Sequence, residues 1–130
     1  MTTSIHDIPI LELQQMAAEA QQSGNLAQAK SIYICLIAAI KSKDGPRSDR
    51  LANNFFQLAE VYGQEKNFTG AQTLYERAIE IWLHSTDEQA QNMVKEASKR
   101  LRILSELESG RVLREERKIN ISSTDRQDVA

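Results

Sequence analysis

Two stretches of this chain answer each other 42 residues apart, and that self-similarity limits the fold more than any other feature. Asn25 falls on Asn67, Leu26 on Phe68, Ala29 on Ala71, Tyr33 on Tyr75 and Ile37 on Ile79. Upstream, Leu13 falls on Phe55, Met16 on Leu58 and Ala17 on Ala59. Large residues match large and small match small across "SGNLAQAKSIYICLI" and "EKNFTGAQTLYERAI". Apolar residues recur at helical spacing on both sides of a short polar break in each copy. A repeat of this size is one helical hairpin that cannot bury its apolar face alone, so the copies must stack. The alanines mark the places where paired backbones approach.

Local signals set the expected boundaries. Asp7 with Pro9 opens a first helix running to about Ser23. Asn25 caps a second, to about Ser42, and Gly45-Pro46 breaks the chain at the joint between copies. A third helix runs to about Glu65, and Asn67 starts a fourth that ends near His84. Thr86 with Gln89 has capping-box spacing and opens a fifth helix. There, Ala90, Val94, Ala97, Leu101 and Leu104 form one apolar stripe that would lie over the second copy.

The repeated pattern resembles the tetratricopeptide repeat family. The second copy carries the family's Leu58-Ala59, Tyr62, Ala71, Tyr75 and Ala78, and the first keeps Ala17, Ala20, Gly24, Ala29 and Tyr33. The first copy has Leu36 where the family has a small residue, and neither copy has the usual proline after its second helix. The 42-residue lag exceeds the family's usual period and looks like the longer repeats of kinesin light chains. The resemblance implies an all-α, right-handed superhelical stack of antiparallel helix pairs, with two repeats and a C-terminal capping helix. The expected organisation is a tail at 1–7 and a repeat domain at 8–118, followed by a disordered tail at 119–130. Within the domain the repeats cover 8–42 and 47–84, and the capping helix 87–118.

Composition excludes several kinds of function. The net charge of −2 gives no reason to expect nucleic acid. Residues 1–94 carry 7 Lys/Arg against 11 Asp/Glu, and 95–118 carry 8 against 5, so an acidic body precedes a mildly basic helix. The one cysteine, Cys35, lies in "YICLIAAI" and reads as a small buried apolar residue. That run is too short to span a membrane, and the start lacks a signal-peptide pattern, so we expect a soluble, cytoplasmic protein. His6 and His84 have no metal-ligand neighbours, and phosphate-binding loops and nucleophile elbows are absent. The sequence therefore points to no catalytic residues, cofactor or metal.

Function must then come from surfaces. In the family the first helix of each repeat lines a concave groove. By the alignment, that groove takes Gln14, Ala18 and Gln21 from the first helix and Asn53, Phe56, Gln57, Glu60 and Gln64 from the third. The fifth helix would add Lys95, Lys99 and Arg102. Phe56 is expected to point into the groove as an apolar anchor, and the basic row to accept an acidic segment. Chaperone-binding members hold a C-terminal carboxylate with a clamp of basic residues and asparagines. Here Lys95 and Lys99 match, but Gln14 replaces a lysine, and Ala18 and Gln57 replace asparagines, so the clamp is incomplete. The expected function is non-catalytic docking of a protein or peptide, in assembly or scaffolding. The alternative is an oligomerisation module, or a regulatory subunit of an enzyme on another chain.

Overall fold

The computed structural model describes residues 8–128, with side chains described through Ile119. Among these residues there are five α-helices and no strand: α1 (Ile10–Gln22), α2 (Leu26–Asp44), α3 (Asp49–Gln64), α4 (Phe68–Leu83) and α5 (Glu88–Asp128). Each helix packs on its neighbours in sequence, and α3 also touches α5. Two hairpins, α1–α2 and α3–α4, are thus stacked, and α5 lies on the second as the opening helix of an unfinished third. The expected tail at 1–7 falls outside the described residues.

The hairpin turns repeat as the sequence does. The Asn25 amide donates to the Ala20 carbonyl at 2.8 Å, and the Asn67 amide to the Tyr62 carbonyl at 2.9 Å, the long-range bond of a left-handed helix end. The residue before each asparagine sits at positive φ: Gly24 at 83° and Lys66 at 64°. Glycine takes that conformation freely, whereas a lysine pays about 1 kcal/mol for it. Each asparagine then caps the next helix, accepting from the Gln28 amide at 3.3 Å and the Gly70 amide at 3.0 Å.

Three boundaries differ from expectation. Helix α1 starts at Ile10 with Pro9 in the cap position, and proline has no side-chain acceptor to offer; Asp7, expected to open the helix, lies outside the described residues. Helix α5 is capped by Asp87 instead of Thr86: the Asp87 carboxylate accepts from the Gln89 amide at 3.1 Å. Ser85 fixes this loop by donating to Asp49 at 3.0 Å and accepting from the Asp87 amide at 3.2 Å. Finally, α5 does not give way to an irregular tail at 119 but continues to Asp128. Between Glu88 and Asp128 there is no proline and a single glycine, Gly110, so nothing in the local chemistry stops the helix.

The core follows the repeat. Ala17, Ala29, Ala59, Ala71, Ala78 and Ala97 are fully buried, which lets helix backbones pack closely. Tyr33 and Tyr75 fill equivalent buried places, as do Ile40 and Trp82. Cys35 is only half-buried and unpaired among the described residues.

Candidate functional site

Helix α3 carries Asn53, Gln57, Glu60 and Gln64 at spacings of four, three and four, which puts them in one row. The opposite side of α3 carries Leu51, Phe55, Leu58 and Ala59 into the core. Between this row and α1 lies a hollow of about 580 Å³. It is lined by Gln14, Ala18, Gln21 and Gln22 from α1, Asn53, Asn54, Gln57 and Gln64 from α3, and Tyr33 from α2. Seven of these nine side chains are carboxamides and none is charged, which decides what the hollow can recognise.

Hydrogen bonds set the shape of this groove. Gln21 donates to Gln64 at 3.0 Å, tying α1 to α3 at one end. The Tyr33 hydroxyl comes up from the core and donates to the Gln21 side-chain oxygen at 3.2 Å. Burial raises the Tyr33 pKa above the usual tyrosine value, which keeps the hydroxyl a donor. Asn54 is buried and satisfies itself by donating to the Arg50 carbonyl at 2.9 Å.

The second repeat uses its tyrosine the same way with a charged partner. The Tyr75 hydroxyl donates to Glu60 at 2.6 Å, and Arg100 on α5 approaches the same carboxylate oxygen at 3.5 Å. Burial, reinforced by the bond to Glu60, drives the Tyr75 pKa far up. Arg100 is shared with Glu96 at 3.3 Å, so α3, α4 and α5 meet in one polar cluster at the edge of the groove.

Of the residues expected in the groove, the hollow brings together Gln14, Ala18, Gln21, Asn53, Gln57 and Gln64. Phe56 is a correction. It is buried, with its ring edge-on to Tyr75 at 5.3 Å and tilted against Trp82 at 6.0 Å. The reason lies in the repeat: 42 residues earlier, Phe56 corresponds to Gln14 and Ala78 to Leu36. Leu36 fills the first hairpin itself; Ala78 leaves that room, and Phe56 takes it.

The basic row stands 42 residues after Asn53, Gln57 and Glu60 and takes the same side of α5 that they take of α3, although it does not line the hollow between α1 and α3. Ala90, Ala97 and Leu104 mark the inward side of α5. At about 100° per residue, Lys95, Lys99 and Arg102 lie on the far side of the helix, and all three are exposed. The cation that meets Glu60 is Arg100, one position on from Lys99.

Among the described residues no group of three His, Cys, Asp or Glu side chains could hold a metal. No described helix is long and apolar enough to cross a membrane. Searches among curated proteins and among solved structures found no match to the chain. A family model described as tetratricopeptide repeat matches residues 9–83, from the α1 cap to the end of α4.

Proposed function

We propose, from the premise that this chain belongs to the tetratricopeptide repeat family, that it docks an extended segment of a partner protein in the groove between α1 and α3. Repeats of this family mediate protein–protein interaction and scaffolding. The observation that carries the finer reading is the carboxamide lining. A carboxamide offers two N–H donors and one carbonyl acceptor, the same groups as a peptide bond, so it pairs with backbone whatever the side chains. Spacing supports this reading. Four residues of helix rise about 6 Å, close to the roughly 6.6 Å between alternate residues of an extended chain. Asn53 and Gln57 are exposed and spaced in that way. Gln64 is already engaged by Gln21 and sets the end of the groove.

The groove selects for shape and backbone more than for charge, because its lining is neutral. Self-association is the less supported reading. The exposed apolar residues of distal α5, Leu107, Val112, Leu113 and Ile119, are scattered around the helix and form no seam.

The test is an array of extended peptides probed with the full chain, followed by titration of the captured sequences. Asn53→Ala and Gln57→Ala should each weaken binding about two- to tenfold, the size of one net hydrogen bond. Capture of peptides that both variants bind as tightly as wild type would sink the groove. Capture of the chain by itself alone would favour oligomerisation.

A further inference from the structure

On the side of α3 opposite the groove, a separate cleft of about 430 Å³ lies between α4 and the joint that leads into α3. Arg47 from the joint, Phe55 from α3 and Arg77, Glu80, Ile81 and His84 from α4 line it. Phe55 and Ile81 contribute its apolar surface, and the Arg77 guanidinium sits over the Phe55 ring, 6.0 Å from its centre. A cation–π contact of this kind favours the guanidinium's position over the ring and leaves its N–H groups available. Among the described residues neither Arg47 nor Arg77 is within ion-pair distance of any carboxylate, although Glu80 is one turn from Arg77. The Glu80 carbonyl lies 2.9 Å from His84 Nδ1. A carbonyl only accepts, so Nδ1 carries hydrogen in that bond and Nε2 is left for another partner.

The repeat shows that packing does not require this chemistry. At the same places in the first copy, Phe55, Arg77, Glu80, Ile81 and His84 become Leu13, Cys35, Ala38, Ala39 and Ser42. The scaffold accepts uncharged residues there, and small ones at the four positions on the second helix. The second copy has two more formal charges, a histidine and a larger aromatic floor than the first.

We propose that this cleft is a second docking site, for a segment of a partner protein that carries one carboxylate beside an apolar side chain. The carboxylate lies between Arg47 and Arg77, and its apolar neighbour rests on Phe55 and Ile81. Two guanidiniums against one cleft carboxylate, Glu80, favour an anion, and planar N–H edges suit the two oxygens of a carboxylate. The volume is in the range of a site for one or two side chains. A shallower hollow continues past Arg47 and His84 to Asp49, Ser85 and Thr86. Asp49 there repels a second acidic residue, so the site reads a single carboxylate and then a neutral or basic continuation. With the amide groove on the opposite side, the chain would hold two segments at once.

The site is tested by following backbone and arginine side-chain NMR signals of the full chain while adding acetyl-Leu-Glu-amide or acetyl-Leu-Gln-amide. The glutamate probe should shift Ile81, His84 and the Arg77 side chain, and the glutamine probe should need about tenfold more peptide for the same shift. Arg77→Gln should remove the difference between the probes. Arg47→Gln, in the joint and away from the core, should do the same and guards against a folding defect in the first variant. Equal response to both probes, or shifts confined to Asn53 and Gln57 in the groove, would overturn the proposal. A tighter response to inorganic phosphate at the same signals would also overturn it, by assigning the cleft to a phosphate.

Discussion

Phe56 illustrates how one side chain is placed by its neighbours' sizes. Its ring lies against Tyr75 and Trp82 and is almost fully buried, so Phe56→Ala should destabilise the fold by about 3–5 kcal/mol. Chemical denaturation would measure this directly; a loss below about 1 kcal/mol would mean that the ring is not part of the core. Helical spacing alone did not reveal this position, because Phe56 lies about 100° around the helix from Phe55, at the margin of the apolar stripe. The readable signal was the paired exchange of Gln14 and Leu36 for Phe56 and Ala78 across the repeat. The polar groove residues were legible for the opposite reason. Asn53, Gln57 and Gln64 stand opposite an apolar stripe, so the period that buries the stripe also exposes them. The cleft around Arg77 was not legible, because the joint, α3 and α4 contribute residues that only the packed structure brings together.

Between elements, the tyrosine hydroxyls join the core to the groove edge. Tyr75 on α4 reaches Glu60 on α3, which Arg100 on α5 also approaches, so three helices share one carboxylate. Folding holds both Tyr33 and Tyr75 in the neutral form, and their pKa values lie above the value of about 10 in an unfolded chain. The unfolded chain therefore releases these protons first. The tyrosine contribution to stability is intact below about pH 10 and is lost as pH rises beyond it. Tyr75→Phe should lower stability at neutral pH by removing the bond to Glu60. It should also flatten the alkaline decline, by up to about 1.4 kcal/mol per pH unit. Denaturation curves at neutral pH and at several values above about pH 10 would show both effects. If wild type and variant declined in parallel, Tyr75 would be ionising as freely in the folded chain as in the unfolded one. The asparagine caps at the hairpin turns were readable in the sequence, since Asn25 and Asn67 precede apolar runs at the same place in each copy. Ser48, which caps α3 by accepting from the Leu51 amide at 3.1 Å, and Asp87 were not, because each stands in a run of polar residues with several candidate caps.

At the scale of the whole molecule, α5 completes the stack. The other helices have 13 to 19 residues, whereas α5 has 41. Its buried positions are Ala90, Ala97 and Leu104, and beyond Leu104 no described residue is buried. The first half of α5 therefore closes the core over α4, while the second half extends from it. Trp82, the chain's single tryptophan, lies on the α4 side of that closure and is 1% exposed. Ending the chain at Ser85 should expose the face of α4 that α5 covers and forfeit several kcal/mol, a large share of an ordinary domain's stability of about 5–15 kcal/mol. Because Trp82 is the only indole, its fluorescence reports on this region alone. The 1–85 fragment should show red-shifted emission, a broad thermal transition and a tendency to aggregate through the uncovered face. The 1–118 fragment keeps every residue of α5 that is described as buried and should match the full chain in emission and midpoint. A 1–85 fragment with wild-type emission and a sharp transition would show that the two hairpins are complete without α5. Its length past Leu104 would then need a reason other than stability.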